Sequence, residues 1–177
     1  FDLTPFVKFD LSGQYAHDQL QYLCSNNIKN IEGRTTYTQM LNPSGGIEAD
    51  LTVTCLKKNY FRIICPALAR SHNKSHILKH IYKDVKLTDV TEDYCCLGLF
   101  GPKSRDMISS ISSDDFSNEN FKFATAKFVK INDLGVWAQR ISYVGELGFE
   151  LYVKKENALK LFDILIDKGK TYKISLC

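Results

Sequence analysis

The residue pattern predicts an α+β fold, built from mostly antiparallel sheets with interspersed helices. Two observations carry this expectation. Alternating apolar runs follow one another across short turns, as where residues 51–56 and 60–65 flank Lys57-Lys58-Asn59 in the manner of a hairpin. Helical stretches also fall between groups of strands rather than after every strand, which argues against a strictly alternating doubly wound sheet.

Each element has its own signal. Residues 6–11, Phe-Val-Lys-Phe-Asp-Leu, alternate and read as a half-buried strand that Gly13 ends. Ala16, Leu20 and Leu23 recur at helical spacing over residues 15–23. Residues 37–41 form a short strand, closed by the turn set Asn42-Pro43-Ser44-Gly45-Gly46. Residues 51–56 alternate strictly and are rich in Thr and Val, as a strand requires. Residues 68–82 read as a helix with Ile77, Leu78, Ile81 and Tyr82 along an apolar stripe. Strands follow at 85–90 and 94–100, and Gly101-Pro102 breaks the chain so that Pro102 opens a helix over 103–111. A polar stretch, 112–120, precedes strands at 126–131, 136–143 and 149–153. A final helix spans 157–167, with Gly169 as its stop.

Composition narrows the class. The 177 residues are 44% apolar and 24% charged, a globular balance that excludes disordered, collagen-like and low-complexity chains. The length suits one domain, 1–177, large enough to bury about 70% of its unfolded surface. The net charge of +3 is spread along the chain, with no basic stripe for nucleic acid. No apolar run approaches the roughly 18 residues of a membrane span, so neither partner is expected. The chain opens at Phe1, with no initiator Met and no signal-like segment, and reads as a piece of a longer polypeptide. The six cysteines, Cys24, Cys55, Cys65, Cys95, Cys96 and Cys177, are irregularly spaced and form no C-x-x-C. Most sit among apolar residues, as buried free thiols in a reducing, intracellular compartment do.

Three places could carry chemistry. After the glycine pair, Glu48 and Asp50 stand two residues apart at the mouth of a strand, on one face of it if the strand begins there. They are either solvated edge carboxylates or a working pair. In Arg140-Ile-Ser-Tyr143-Val-Gly145-Glu146-Leu-Gly148-Phe149-Glu150-Leu151, the Glu150 side chain points opposite to Phe149 and Leu151. If those two face the core, Glu150 is a surface residue. If the faces are reversed, it is buried and must find donors, since an unpaired buried carboxylate costs several kcal/mol, on the order of 3–5. A heterocycle with adjacent N–H groups is one such partner. His72, His76 and His80 share a helix face, but Arg70, Lys74 and Lys79 surround them, so no metal is assigned. No phosphate-binding or dinucleotide-binding glycine motif is present, and Gly101-Pro102-Lys103-Ser104-Arg105 is a strand-to-helix turn only.

These segments, with Asp2-Leu3-Thr4-Pro5-Phe6-Val7-Lys8-Phe9 at the start, occur in the order and spacing of one family. The chain resembles the folate-binding domain of the glycine-cleavage T-protein (aminomethyltransferase) family, and within it the folate domain attached to sarcosine and dimethylglycine dehydrogenases. The resemblance runs from the first residue to the last and stops before the family's C-terminal barrel. It implies tetrahydrofolate as cofactor and transfer of an aminomethyl or formaldehyde-level unit, giving 5,10-methylene-tetrahydrofolate. It places Asp50 as the catalytic carboxylate, and Tyr37, Tyr143 and Glu150 as folate contacts, with Glu150 on the pterin; Arg140 is read as structural. It also implies an FAD domain in the parent chain that oxidises an N-methylated amine, in the mitochondrial matrix of a eukaryote or the cytoplasm of a bacterium. Glu48-Ala49 before Asp50 favours the dehydrogenase branch over glycine-cleavage aminomethyltransferase proper. Cys65 or Pro66 stands where T-proteins carry an asparagine. The competing reading is a non-enzymatic relative similar to the regulatory subunit of pyruvate dehydrogenase phosphatase, against which Asp50, Tyr37 and Glu150 weigh; a second is a bare folate-binding module.

Overall fold

A computed structural model of the chain describes residues 1–82 and 84–177. They form two compact units, Pro5–Thr91 on the one hand and Phe1–Thr4 with Glu92–Cys177 on the other. Each is built on one antiparallel sheet, so the α+β class holds.

In the unit Pro5–Thr91, strands β1 (Val7–Ser12), β2 (Thr35–Leu41), β3 (Ile47–Lys57), β4 (Tyr60–Cys65) and β5 (Lys86–Asp89) pair in the order β2-β3-β4-β1-β5. The alternation sorts the side chains into two faces. Val7, Phe9, Leu11, Leu51, Val53, Phe61 and Ile63 form the apolar face, packed with Ala16, Leu20 and Leu23 of α1 (Ala16–Leu23) and Ile77 of α2 (Arg70–His80). The other face is polar, because the register sets Asp10 beside Arg62 and Thr88, Arg62 beside Thr54, and Asp50 beside Gln39. Lys8, Asp10 and Arg62 are all buried there. Arg62 grips Asp10 with Nε on Oδ1 at 2.7 Å and its terminal amino group on Oδ2 at 2.9 Å, while the Tyr60 hydroxyl donates to Oδ2 at 2.6 Å. A parallel two-bond grip with a third donor is what lets such a pair survive out of water.

The second unit holds β6 (Tyr94–Phe100), β7 (Ala126–Ile131), β8 (Leu134–Gln139) and β9 (Gly148–Lys154) in the order β6-β9-β8-β7. Its core joins Leu99, Val129, Val136, Phe149 and Leu151 to Met107 and Ile108 of α3 (Ser104–Ser109) and to Leu161 and Leu165 of α4 (Ala158–Tyr172). The outer edge of β6 is covered by the first residues of the chain: the Leu3 N–H donates to the Cys96 carbonyl and the Gly98 N–H to the Phe1 carbonyl, each at 2.9 Å. Covering removes an open strand edge.

Four details differ from the sequence expectations. The strand read at 136–143 is β8, which stops at Gln139. The Arg140 N–H donates to the Thr125 carbonyl at 2.8 Å and its guanidinium to Asn118 Oδ1 at 2.6 Å, so the chain leaves the sheet there. The helix read at 68–82 is α2, which ends at His80 because Ile81 turns extended; of the expected stripe, only Ile77 is a buried helix residue, and Leu78 and Tyr82 are exposed. The last helix runs past Gly169 to Tyr172. Lys173 takes the left-handed conformation (φ 58°) that a glycine usually fills, and the Ile174 N–H closes back on the Gly169 carbonyl at 3.0 Å. Gly169 serves packing instead, since a Cβ there would meet the Ile174 side chain. Finally, the polar stretch hides an aromatic cluster: Phe116 and Phe121 are buried against Phe149 with ring centres 5.3 and 5.6 Å away.

Candidate functional site

Asp50 and Tyr37 lie together on the polar face of the Pro5–Thr91 sheet. Asp50 stands opposite Gln39, whose side-chain amide donates to Asp50 Oδ1 at 3.1 Å, and Tyr37 stands one pair further on, opposite Thr52. The hydrogen bond to Asp50, reinforced by the carboxylate's charge, raises the Tyr37 phenol above its usual value, so the phenol is the donor of this contact. Tyr37 is 61% exposed and Asp50 is exposed as well, so both meet solvent or ligand directly.

Glu48 departs from its neighbour. It accepts from the Asn42 side-chain amide at 3.1 Å and contacts His72 Nε2 at 2.9 Å; those two contacts, Asn42 first, hold its carboxyl below the usual range. The histidine face is therefore joined by a carboxylate that the sequence placed elsewhere. The rings of His76 and His80 sit 4.8 Å apart. No group of three or more metal-ligating side chains with metal-holding geometry occurs among the described residues.

Glu150 follows neither branch of the sequence reading. Phe149 and Leu151 do face the core, yet Glu150 is only 9% exposed, because β9 is buried on both of its faces. Its carboxylate is met from its own strand: the Tyr152 hydroxyl donates to Oε2 at 2.6 Å. Burial, with the nearby Cys96 and Glu150, pushes the Tyr152 phenol well above its ordinary value, so it stays a neutral donor. Across the sheet Glu150 pairs with Gly98 on β6 and Gln139 on β8, and Trp137 pairs with Tyr152. Gly98 and Gly148 are required by packing, since a Cβ at either would run into the Phe100 ring. The Trp137 indole N–H on β8 is buried with no partner among the described residues.

Tyr143 is not brought to this carboxylate by any direct hydrogen bond. It lies in the 140–147 loop, 77% exposed, and its hydroxyl makes no hydrogen bond among the described residues. Arg140 is structural: it and Arg105 both donate to Asn118 Oδ1, which ties down the loop around Phe116 and Phe121. The sequence reading missed Tyr152 and Gln39. Tyr152 could have been found, since i and i+2 of a strand share a face; Gln39 depends on the β2–β3 register.

The comparisons with known proteins agree with this architecture. The model of the GCVT N-terminal domain matches residues 1–177. The chain belongs to this family. Dimethylglycine dehydrogenase of Rattus norvegicus is 36% identical over 172 residues, 96% of this chain and 20% of that protein. Sarcosine dehydrogenase of Homo sapiens is 34% identical over 186 residues, again 96% of this chain and 20% of the relative. The pyruvate dehydrogenase phosphatase regulatory subunit of Mus musculus is 32% identical over 178 residues, 98% of this chain and 20% of that one. Among solved structures, the glycine cleavage system aminomethyltransferase T of Bartonella henselae superposes with a TM-score of 0.81 at 20% identity, covering 94% of this chain and 44% of that one, a likeness of fold. The GCVT domain described here thus spans about one-fifth of the length of the curated relatives it matches. No helix among its described residues is long and apolar enough to cross a membrane.

Proposed function

We propose that residues 1–177 act as the folate-handling domain of a sarcosine or dimethylglycine dehydrogenase-like enzyme, transferring a formaldehyde-level carbon to tetrahydrofolate and giving 5,10-methylene-tetrahydrofolate. The observation that carries this reading is the contrast between two carboxylates in one chain of the GCVT family: Glu150 buried and met by a neutral phenol, Asp50 exposed and met by Gln39 and Tyr37. The donor set fits the ligand's chemistry. A buried, oriented carboxylate suits adjacent N–H groups of a pterin, which it can grip through two parallel charge-assisted bonds. The Trp137 N–H, without a partner among the described residues, is a further donor on the same face of the sheet, from β8.

When bound, tetrahydrofolate supplies the amine nitrogens that take up the one-carbon unit. Glu150 binds and orients; Asp50 accepts and returns the proton at the reacting amine nitrogen and stabilises positive charge that develops there. Tyr37 supports Asp50 as a donor, and the exposed rings of Tyr37 and Tyr143 offer faces to the ligand's aromatic portion. The residues do not fit FAD, since no dinucleotide-binding glycine motif occurs in the sequence, and no step here runs through it. In this reading the flavin sits on another domain of the enzyme, in the mitochondrial matrix of a eukaryote.

Titrating tetrahydrofolate into the intact polypeptide under reducing conditions, by calorimetry and by the fluorescence of the single Trp137, tests the proposal. Saturable binding is expected. Glu150→Ala should weaken it about 100-fold or more, the worth of two charge-assisted bonds. Asp50→Asn should keep the affinity and lower turnover, because the pterin grip remains while the proton acceptor is lost. Equal loss of affinity in both variants would break this division of roles. The second reading, a regulatory relative acting through protein contacts, is favoured by the 32% identity to the phosphatase regulatory subunit. Absence of tetrahydrofolate binding by the folded polypeptide would select it.

A further inference from the structure

The sheet fixes where Glu150 stands but leaves the angle of its carboxylate to its neighbours. Directly across on β6 is Gly98, with no side chain to pack against it. Gln139 stands across from it on β8. A donor that reaches the carboxylate comes from two residues along the same strand, where the Tyr152 phenol, 2% exposed, donates to Oε2 at 2.6 Å. Tyr152 is itself clamped: Cys96 and Trp137 face it from β6 and β8, and Trp137 is pinned edge-on against Phe128 with ring centres 4.8 Å apart.

We propose that Tyr152 is the positioning residue of the ligand-gripping carboxylate, a buried donor that fixes the plane of Glu150 and keeps it ionised for a pair of N–H groups. The inference rests on the reading of Glu150 given above. A phenol differs from a cation in this place because it orients the carboxylate without cancelling its charge, so the acceptor strength stays available to the ligand. A hydrogen bond to the charged form also favours that form. Removing the donor therefore lets Glu150 take up a proton at higher pH, and a protonated carboxyl loses one of its two acceptors. The other titratable groups on this face of the sheet are Tyr94 and Cys96 on β6, Lys130 on β7 and Lys154 on β9. The Lys154 ammonium sits over the Tyr94 ring, 4.1 Å from its centre, and the Phe1 amino group donates to the Gly98 carbonyl at 3.0 Å. β8 contributes only Trp137 and Gln139, which do not titrate.

The test is tetrahydrofolate affinity against pH for the intact polypeptide and its Tyr152→Phe variant. The variant should bind about tenfold more weakly near neutral pH, and the acid limb of its profile should move up by about one pH unit. A residue that merely filled space would lower the melting temperature and leave that limb in place. In a Glu150→Gln background, Tyr152→Phe should change affinity no further. If Tyr152→Phe does not fold, 3-fluorotyrosine at position 152 gives the opposite arm, since a more acidic phenol should carry the limb to lower pH. Loss of binding in Glu150→Ala together with an unmoved affinity and acid limb in Tyr152→Phe overturns the positioning role alone. Unchanged binding in Glu150→Ala overturns the reading on which it rests.

Discussion

Asp50 and Glu150 are both strand carboxylates held by tyrosine hydroxyls, yet their surroundings are opposite. At Asp50 the phenol is on the neighbouring strand, the carboxylate is exposed, and its partners Gln39 and Tyr37 are themselves within reach of solvent. At Glu150 the phenol is on the same strand, both are buried, and the glycines opposite and beside it are fixed by the Phe100 ring. An open carboxylate can exchange protons at little structural cost; a buried one can only keep a fixed geometry. In the proposed function that difference gives proton transfer to the first and orientation to the second, and it makes burial the quantity to perturb.

The largest effect should come from the buried pair that shares a sheet face with Asp50. Arg62→Ala removes both guanidinium donors from buried Asp10 and leaves it the Tyr60 hydroxyl, and should cost about 3–5 kcal/mol in denaturant unfolding. Arg62→Lys, a point charge in place of a planar fork, should fall between the variant and the native chain. A loss below about 1 kcal/mol would mean that this face is wetter than the geometry states, and would weaken the contrast with Asp50.

Thiol chemistry probes the same contrast without mutation. Burial pushes Cys24 up to about 12, against the opposing Thr38 hydrogen bond, and Cys55 to about 11, with the charge of Glu32 adding to it. The thiolate is the nucleophile, so near pH 8 each raised unit removes about tenfold of reactivity. Iodoacetamide should therefore label exposed Cys177 at least about 100-fold faster than Cys55, and Cys24 more slowly still, as mass spectrometry of peptides would show. Fast labelling of Cys24 would show that the apolar face under α1 opens readily.

Where one face of a strand is buried and the other is not, period-two patterning reveals it, and the strand at 126–131, with Phe128 and Lys130 exposed and Val129 and Ile131 buried, is found at those residues. β9 resisted that logic because six of its seven residues are buried, so Glu150 could not be assigned a side from its neighbours. The end of α4 was obscured because Gly169 suggests a stop by its backbone freedom, whereas its actual task is to admit Ile174. Phe116 and Phe121 were hidden in a stretch whose polar residues satisfy one another, as Asp115 does with Asn120 and Ser117. Within the candidate site, the segments around Asp50 and Glu150 were legible from spacing and family resemblance. Gln39 was not, since it arrives through strand register; Tyr152 shares the face of Glu150 by spacing, but the burial that makes it a partner depends on the second sheet face being covered.

The smallest effect should appear at Glu48, two residues from Asp50 on β3. Its carboxyl is held below the ordinary range by the Asn42 amide first and by His72 second. Because the folded value is lowered, the contact contributes above the unfolded carboxylate range and is lost as pH falls through the folded value. Carbon-detected NMR titration should find Glu48 protonating below the ordinary glutamate range near 4.3. Asn42→Ala should move that titration up by more than His72→Ala does. The reverse order would mean that His72 charge, rather than a neutral amide, governs this end of β3. The open carboxylates would then be tuned by ionic strength, and 0.5 M salt should shift Glu48 in the native chain about as far as His72→Ala does.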